Sequence, residues 1–268
     1  MSAILLVGAG RMGGALLKGW SSRNLGPVLA VEPSPSPELK AFAKKNRVAI
    51  FARVDQLDSL RARACVIALK PQILKNEAAA LAPLAQSGAL MLSIAAGTTI
   101  DGLRKAWGPS ARIVRAMPNT PGAIGRGITA LFAGRGVTAK DKALAESLLA
   151  ALGETLWVGR ESDIDTVTAV SGSGPAYVFL LVEALADAAE VEGLPRPLAE
   201  KLARATVSGS GALLDADPSP PAELRRAVTS PHGTTEAALK ILMAKNGLTP
   251  LMRNAVAAAR KRARELGQ

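Results

Sequence analysis

The chain of 268 residues has a single histidine, His232, and a single cysteine, Cys65. One histidine excludes a multi-histidine metal site within one chain, and no CxxC or HExxH spacing occurs, so no metal is expected. One cysteine excludes an intrachain disulfide framework. Cys65 lies inside the apolar run 64–69, which makes it a buried strand residue and not a redox group. Aromatic residues make up only 3% of the chain, too few for a base-stacking surface. No G-x-S-x-G elbow is present to make His232 part of a Ser-His-Asp hydrolase. The longest apolar run, 176–189, is interrupted by Glu183 and Asp187, so no membrane span is expected. The apolar start at 3–7 has no basic flank and runs straight into glycines, unlike a secretory signal, and the expected location is cytoplasmic.

Apolar residues account for 49% of the chain and must be mostly Ala, Leu and Val, a composition suited to close helix packing. The formal net charge of +11 raises the question of nucleic acid, and the densest basic run is 260–264. That run continues the helical pattern of Val256, Ala257 and Ala259, so it is expected to be a solvated helix end, where cations suit the C-terminal dipole. Neither a nucleic acid nor a membrane is expected as a partner.

Residues 4–7 form a short β-type run followed at once by Gly8-Ala9-Gly10-Arg11-Met12-Gly13 and then by helical residues 14–21. This is G-x-G-x-x-G in the context of strand, tight turn and helix that gives it meaning. Gly8 would permit the turn, Gly10 would let a pyrophosphate approach the backbone, and Gly13 would allow close helix-to-strand contact. The helix N-terminus would then face the phosphates. A second strand at 27–31 ends at Glu32, about twenty residues past the fingerprint, where an acid binds ribose hydroxyls and disfavours a 2′-phosphate. Ser34, Ser36 and Lys40 follow closely and would suit a phosphate if the loop bends, so the cofactor is NADPH or NADH, with the choice open.

Runs 64–69, 89–94 and 112–116 have the character of buried parallel strands, with helical stretches such as 72–85 between them. Each strand ends in a distinctive loop: Lys70-Pro71-Gln72, Ala95-Ala96-Gly97-Thr98 and Met117-Pro118-Asn119-Thr120-Pro121. Ligands of open α/β sheets lie outside the carboxyl ends of strands, so these loops are expected to line a crevice. The plain alternative is that Pro and Gly merely end strands.

After Trp157-Val158-Gly159 the pattern becomes helical over 163–192, 198–215, 223–228, 235–244 and 249–266. The fold expected is α/β: an N-terminal Rossmann-type parallel-sheet domain, 1–160, followed by an all-helical domain, 161–268. Two clusters interrupt the helical half, Ser171-Gly172-Ser173-Gly174-Pro175 and Thr229-Ser230-Pro231-His232-Gly233-Thr234-Thr235. The second precedes a helix and suits a carboxylate, but an ordinary N-cap would have the same spacing. The first equally fits close helix crossing.

Hydride transfer is the chemistry that remains. Residues 166–187 contain no Lys or Arg, so the lysine that hydroxy-acid dehydrogenases place on this helix is missing. A protonated C=N bond is already electrophilic and needs positioning more than a strong acid. A reductase of another small imine or keto acid, or a dinucleotide sensor without turnover, would share much of this pattern.

The stretch Asp165-Thr166-Val167-Thr168-Ala169-Val170-Ser171-Gly172-Ser173-Gly174-Pro175-Ala176-Tyr177, then Gly193-Leu194-Pro195 and the run 224–235, closely resembles the pyrroline-5-carboxylate reductases. Gly-Ala-Gly-Arg-Met-Gly, Leu69-Lys70-Pro71-Gln72, Ala95-Ala96-Gly97 and Met117-Pro118-Asn119-Thr120-Pro121 resemble that family too, in the same order. The resemblance covers essentially the whole chain. It implies NAD(P)H-dependent reduction of 1-pyrroline-5-carboxylate to L-proline, the last step of proline biosynthesis. It also implies a helical domain that interleaves with a partner's in a homodimer, with dimers joined into larger rings. Ser230, Gly233, Thr234 and Thr235 would hold the substrate, with Thr235 catalytic near the ring nitrogen. Arg11, Met12, Lys70, Pro71 and Ala96 would touch the cofactor along with Gly8, Gly10, Gly13, Glu32 and Ser34, and Asn119 would shape the crevice. His232 stands where the family usually has Gly. A glycine there suggests positive φ, which His adopts at modest cost; a titrating role beside the substrate carboxylate is the other possibility.

Overall fold

The computed structural model describes residues 3–57 and 61–267. Their contacts divide the chain into two compact units, 1–172 with 259–268, and 173–258. The first unit therefore carries beyond the change of composition at 160.

The first unit is built on one sheet of eight strands: β1 (Ala3–Val7), β2 (Val28–Val31), β3 (Ala49–Phe51), β4 (Ala62–Ile67), β5 (Leu90–Ser93), β6 (Arg112–Met117), β7 (Gly127–Ala133) and β8 (Gly153–Trp157). Their order is β3-β2-β1-β4-β5-β6-β7-β8. All neighbours from β3 to β6 are parallel, with Ile4 opposite Val28 on one side and Ala64 on the other. β7 returns antiparallel to β6, and β8 runs parallel to β7. The central strands are apolar on both faces because helices cover both. Leu5, Cys65, Met91 and Ile113 point to one core, while Ile4, Leu6, Val66, Leu92 and Val114 point to the other. Each core ends on an indole whose N–H finds a carbonyl: Trp20 donates to Leu148 O at 2.7 Å and Trp107 to Ala78 O at 2.8 Å.

The helices of this unit are α1 (Arg11–Ser22), α2 (Pro37–Asn46), α3 (Pro71–Glu77), α4 (Ala82–Gln86), α5 (Ile100–Trp107), α6 (Ala139–Leu149) and α7 (Asp163–Val167). The single helix expected over 72–85 is instead α3, a 3-10 turn at Ala78–Leu81, and α4. Pro83 explains the break: it lacks an N–H and belongs in a first turn, which is where α4 has it. The helix expected over 163–192 is likewise interrupted, by a π-helical turn at Thr168–Gly172 and a bend at Ser173. Pro175 sits in the first turn of the helix that follows.

The second unit is helical, with α8 (Gly174–Val191), α9 (Arg196–Ala216), α10 (Pro221–Ala227) and α11 (Thr234–Leu242). The last helix, α12 (Leu248–Leu266), ends in the first unit's grouping. Its basic end is a helix surface, as expected: Lys261, Arg262 and Arg264 are exposed, and Arg262 pairs with Glu265 at 3.0 Å. α8 and α9 bury Ala186, Ala199 and Ala203. Phe179, Leu180 and Leu181 of α8 stay 52–62% exposed. By length and composition alone, the helical stretch Asp163–Val191, with a mean hydropathy of 1.4 over an 18-residue window, is apolar enough to cross a membrane.

Candidate functional site

In the first unit, parallel strands put the turns after β1, β2, β4, β5 and β6 on one edge of the sheet. β1 lies between β2 and β4, so the chain's direction of travel across the sheet reverses there, and a crevice opens above it. The fingerprint occupies that turn. Gly8 has φ +89, and a side chain on it would meet the Ala68 carbonyl oxygen of the β4 turn at 2.9 Å. A side chain on Gly13 would run into the Gly8 carbonyl oxygen. Gly10 is different: it caps α1, and nothing stands within 4 Å of where its side chain would be. Two glycines thus serve packing, while the third leaves open backbone at a helix N-terminus, the arrangement a pyrophosphate needs.

A cleft of about 540 Å³ lies against this turn, lined by Gly10, Arg11, Lys18, Glu32, Ser34 and Phe42 among others. The Glu32 carboxylate accepts from Ala9 N at 2.8 Å through one oxygen and from Ser34 N at 3.3 Å through the other. Ser36 caps α2, its hydroxyl accepting from Leu39 N at 3.2 Å. The same hydroxyl bonds to the Glu38 carboxylate and, with that residue's own N–H, lowers its pKa from the ordinary value. These residues fit a dinucleotide. Lys18 and Phe42 were missed in the sequence, although Arg11, Gly14, Ala15 and Lys18 recur at the spacing of one helix face.

The remaining loops share that edge. Lys70 caps α3 and is exposed, with Pro71 in the first helical turn; Ala96 is half-buried after β5; Met12 packs on the core. Asn119, after β6, spends its amide inside the protein, accepting from Ile128 N at 3.0 Å and donating to Ser171 Oγ at 3.1 Å. Arg115, also unforeseen, is a buried guanidinium in β6 that reaches Glu161 at 3.1 Å and Asp165 at 3.3 Å. Glu161 further accepts from Ile100 N at 2.7 Å at the start of α5. Asp165 and Ser171 both belong to the stretch that carries the family resemblance, and both are tied to β6 or the loop after it.

In the second unit, residues 230–235 form the turn ahead of α11. His232 has φ +59, the left-handed conformation that the family resemblance led us to expect there. Its N–H donates to Glu236 Oε2 at 2.8 Å, and Gly233 N donates to Ser230 O at 3.1 Å. A side chain on Gly233 would collide with Ser230 Oγ. The first bond of the helix proper runs from Ala237 N to Gly233 O at 3.2 Å, so the N–H groups of Thr234, Thr235 and Glu236 precede the helical ladder. Thr235 is half-buried, while Ser230 and Thr234 are exposed. Among the described residues, no group of three or more metal-ligating side chains occurs.

Residues 161–266 match the family described as pyrroline-5-carboxylate reductase dimerisation, and residues 3–97 match the family described as NADP oxidoreductase coenzyme F420-dependent. The pyrroline-5-carboxylate reductase of Pseudomonas aeruginosa is 39% identical over 270 residues, covering 99% of this chain and 97% of that protein. That of Pisum sativum is 36% identical, covering 97% and 94%. Among solved structures, a pyrroline-5-carboxylate reductase from Coxiella burnetii superposes with a TM-score of 0.91 at 38% identity, covering 100% of this chain and 99% of that one. The Plasmodium falciparum enzyme, solved with NADP bound, gives 0.83 at 29% identity, covering 100% and 98%.

Proposed function

The chain belongs to the pyrroline-5-carboxylate reductase family, an NAD(P)H-dependent oxidoreductase family acting on a C=N bond, and from that membership we propose how its own residues carry the reaction. The substrate is the small cyclic imine 1-pyrroline-5-carboxylate and the product L-proline. When bound, the reduced nicotinamide supplies the hydride that the imine carbon accepts.

The observation that carries the assignment is the turn at 230–235, which presents hydroxyls and unbonded N–H groups at the start of α11. An anionic carboxylate suits that end of a helix, so Ser230, Thr234 and the backbone N–H groups that follow Gly233, itself needed to make the turn, hold the substrate carboxylate. With the carboxylate fixed, the rigid ring has little freedom left, and orientation supplies much of the rate. Thr235 directs its hydroxyl to the ring nitrogen, keeping the proton there as the C=N bond becomes C–N, with solvent replacing any proton given up. The Gly8–Gly13 turn and the β4, β5 and β6 loops hold the coenzyme, with Arg11, Met12, Lys70, Pro71 and Ala96 against it and Asn119 fixing the loop geometry.

Steady-state kinetics of Thr235→Ala and Thr235→Ser test this. Loss of kcat by about 10²-fold in the alanine variant, restored in part by serine, is expected. Equal kcat in all three would remove Thr235 from the chemistry.

The enzyme works as a homo-oligomer. The apolar face of α8, with Phe179, Leu180 and Leu181, is covered by a second copy and not by a membrane, within a dimer that joins others into a ring. We place the enzyme in the cytoplasm, with no nucleic-acid partner. Sedimentation of a monomer at micromolar concentration would contradict the assembly.

A further inference from the structure

We propose that the cleft beside the fingerprint selects NADH over NADPH, with Glu32 as the residue that turns away the 2′-phosphate; this rests on reading that cleft as the coenzyme site. The sequence offered an acid that suits a ribose diol and three residues, Ser34, Ser36 and Lys40, that would suit a phosphate.

The geometry separates them. Glu32 is anchored at the mouth of the turn, one oxygen on Ala9 N and the other on Ser34 N. The Ser34 N–H, a natural phosphate donor at this loop, is therefore given to a carboxylate. The Ser36 hydroxyl is engaged by Leu39 N as the α2 cap and lies beside the Glu38 carboxylate, whose pKa it lowers. Lys40 is exposed and is not among the residues lining the cleft, whereas Glu38 is. The charged groups facing the cleft are thus Glu32 and Glu38 from the β2–α2 side and Arg11 and Lys18 from α1. Both cations stand on the helix whose N-terminus faces the pyrophosphate, and the ribose side carries only carboxylates. A ribose with free hydroxyls can donate to Glu32; a phosphate dianion there meets a fixed negative charge and finds the Ser34 hydroxyl without the Ser34 N–H, which Glu32 holds.

Binding of NADH and NADPH to the full-length protein, followed by nicotinamide fluorescence, tests this without relying on turnover. The wild type is expected to hold NADH about tenfold or more tighter, the scale of a like-charge juxtaposition. Glu32→Ser is expected to bring the two dissociation constants within about threefold, mainly by tightening NADPH. Glu32→Gln, which keeps an acceptor for Ala9 N, is expected to shift the ratio the same way. On the wild type alone, ADP-ribose is expected to displace NADH about tenfold better than its 2′-phosphate, which covers the case of variants that fail to fold. Equal or tighter NADPH binding by the wild type, or folded variants with an unchanged ratio, would overturn the proposal. Failure to bind either coenzyme would overturn it together with the reading of the cleft. Tighter NADH binding without imine reduction would uphold it and sink the reductase mechanism instead.

Discussion

Asp165 Oδ1 accepts a hydrogen bond at 3.3 Å from Arg115, whose side chain is only 3% exposed in the middle of β6. With Glu161 on the other guanidinium nitrogen, this pair fastens α7 to the sheet and so fixes the start of the 165–172 stretch. Removing Arg115 leaves two carboxylates without their counterion in a low-dielectric setting, while removing the Asp165 charge leaves Arg115 with Glu161 alone. Asp165→Asn and Arg115→Met are expected to lower unfolding free energy by about 3 kcal/mol, less for the asparagine, which keeps a hydrogen bond. Urea denaturation measures this; a loss below about 0.5 kcal/mol for both variants would show the network to be incidental.

Gly10 and Gly13 answer different demands and their alanine variants should part company. Gly13→Ala drives a methyl into the Gly8 carbonyl and is expected to destabilise the fold by about 2 kcal/mol or more. Gly10→Ala meets no protein atom within 4 Å, so stability should change by less than about 0.5 kcal/mol while dinucleotide affinity falls at least about tenfold. Thermal melts and coenzyme titration on both variants check this. Full coenzyme affinity in Gly10→Ala would remove the pyrophosphate from that turn.

This contrast also shows how far the sequence carried. The fingerprint could be read because strand, glycine turn and helix lie together in the chain. Three strands could not. β3 is only Ala49–Phe51, and β7 and β8 form the half-buried end of the sheet, where alternation with Gly and Thr resembles loop. Arg115 gave no signal because its partners Glu161 and Asp165 are 46 and 50 residues away, beyond any local pattern. His232 was legible for the opposite reason: backbone conformation is a local property, and the glycine that the family resemblance implies at this position foretold its φ of +59.

His232→Gly relieves that left-handed conformation but loosens the unfolded chain, so stability should move by no more than about 1 kcal/mol. The His232 N–H bond to Glu236 is a backbone bond and survives the change. Activity and its pH profile are expected to superimpose on the parent's. A displaced limb in the near-neutral range would give His232 a titrating role.

Asp141 supplies an acid-stability prediction. Burial raises its pKa, but bonds from Thr138 N at 2.9 Å and Thr138 Oγ1 at 2.8 Å, with Arg112 at 2.6 Å, outweigh burial and hold it below its ordinary value. A depressed folded-state pKa contributes stability that is present above the unfolded value and is lost as pH falls through the folded one. Asp141→Asn is expected to cost about 1–2 kcal/mol near neutrality, through the capping box and the ion pair. Its deficit against the parent should shrink below about pH 4. A deficit independent of pH would assign the effect to packing alone.

Cys65 is wholly buried in β4, and burial pushes its thiol pKa up to about 12. The native protein is expected to resist thiol reagents near neutral pH and to react only on unfolding. Rapid stoichiometric labelling of folded protein would contradict this placement.

The most direct test of the central claim is oxidation of NADH and NADPH by the purified protein with 1-pyrroline-5-carboxylate, with proline quantified alongside. Oxidation matched mole for mole by proline is the predicted result, and it should collapse in Thr235→Ala. A folded protein that binds a dinucleotide yet oxidises neither coenzyme with this imine would contradict the account.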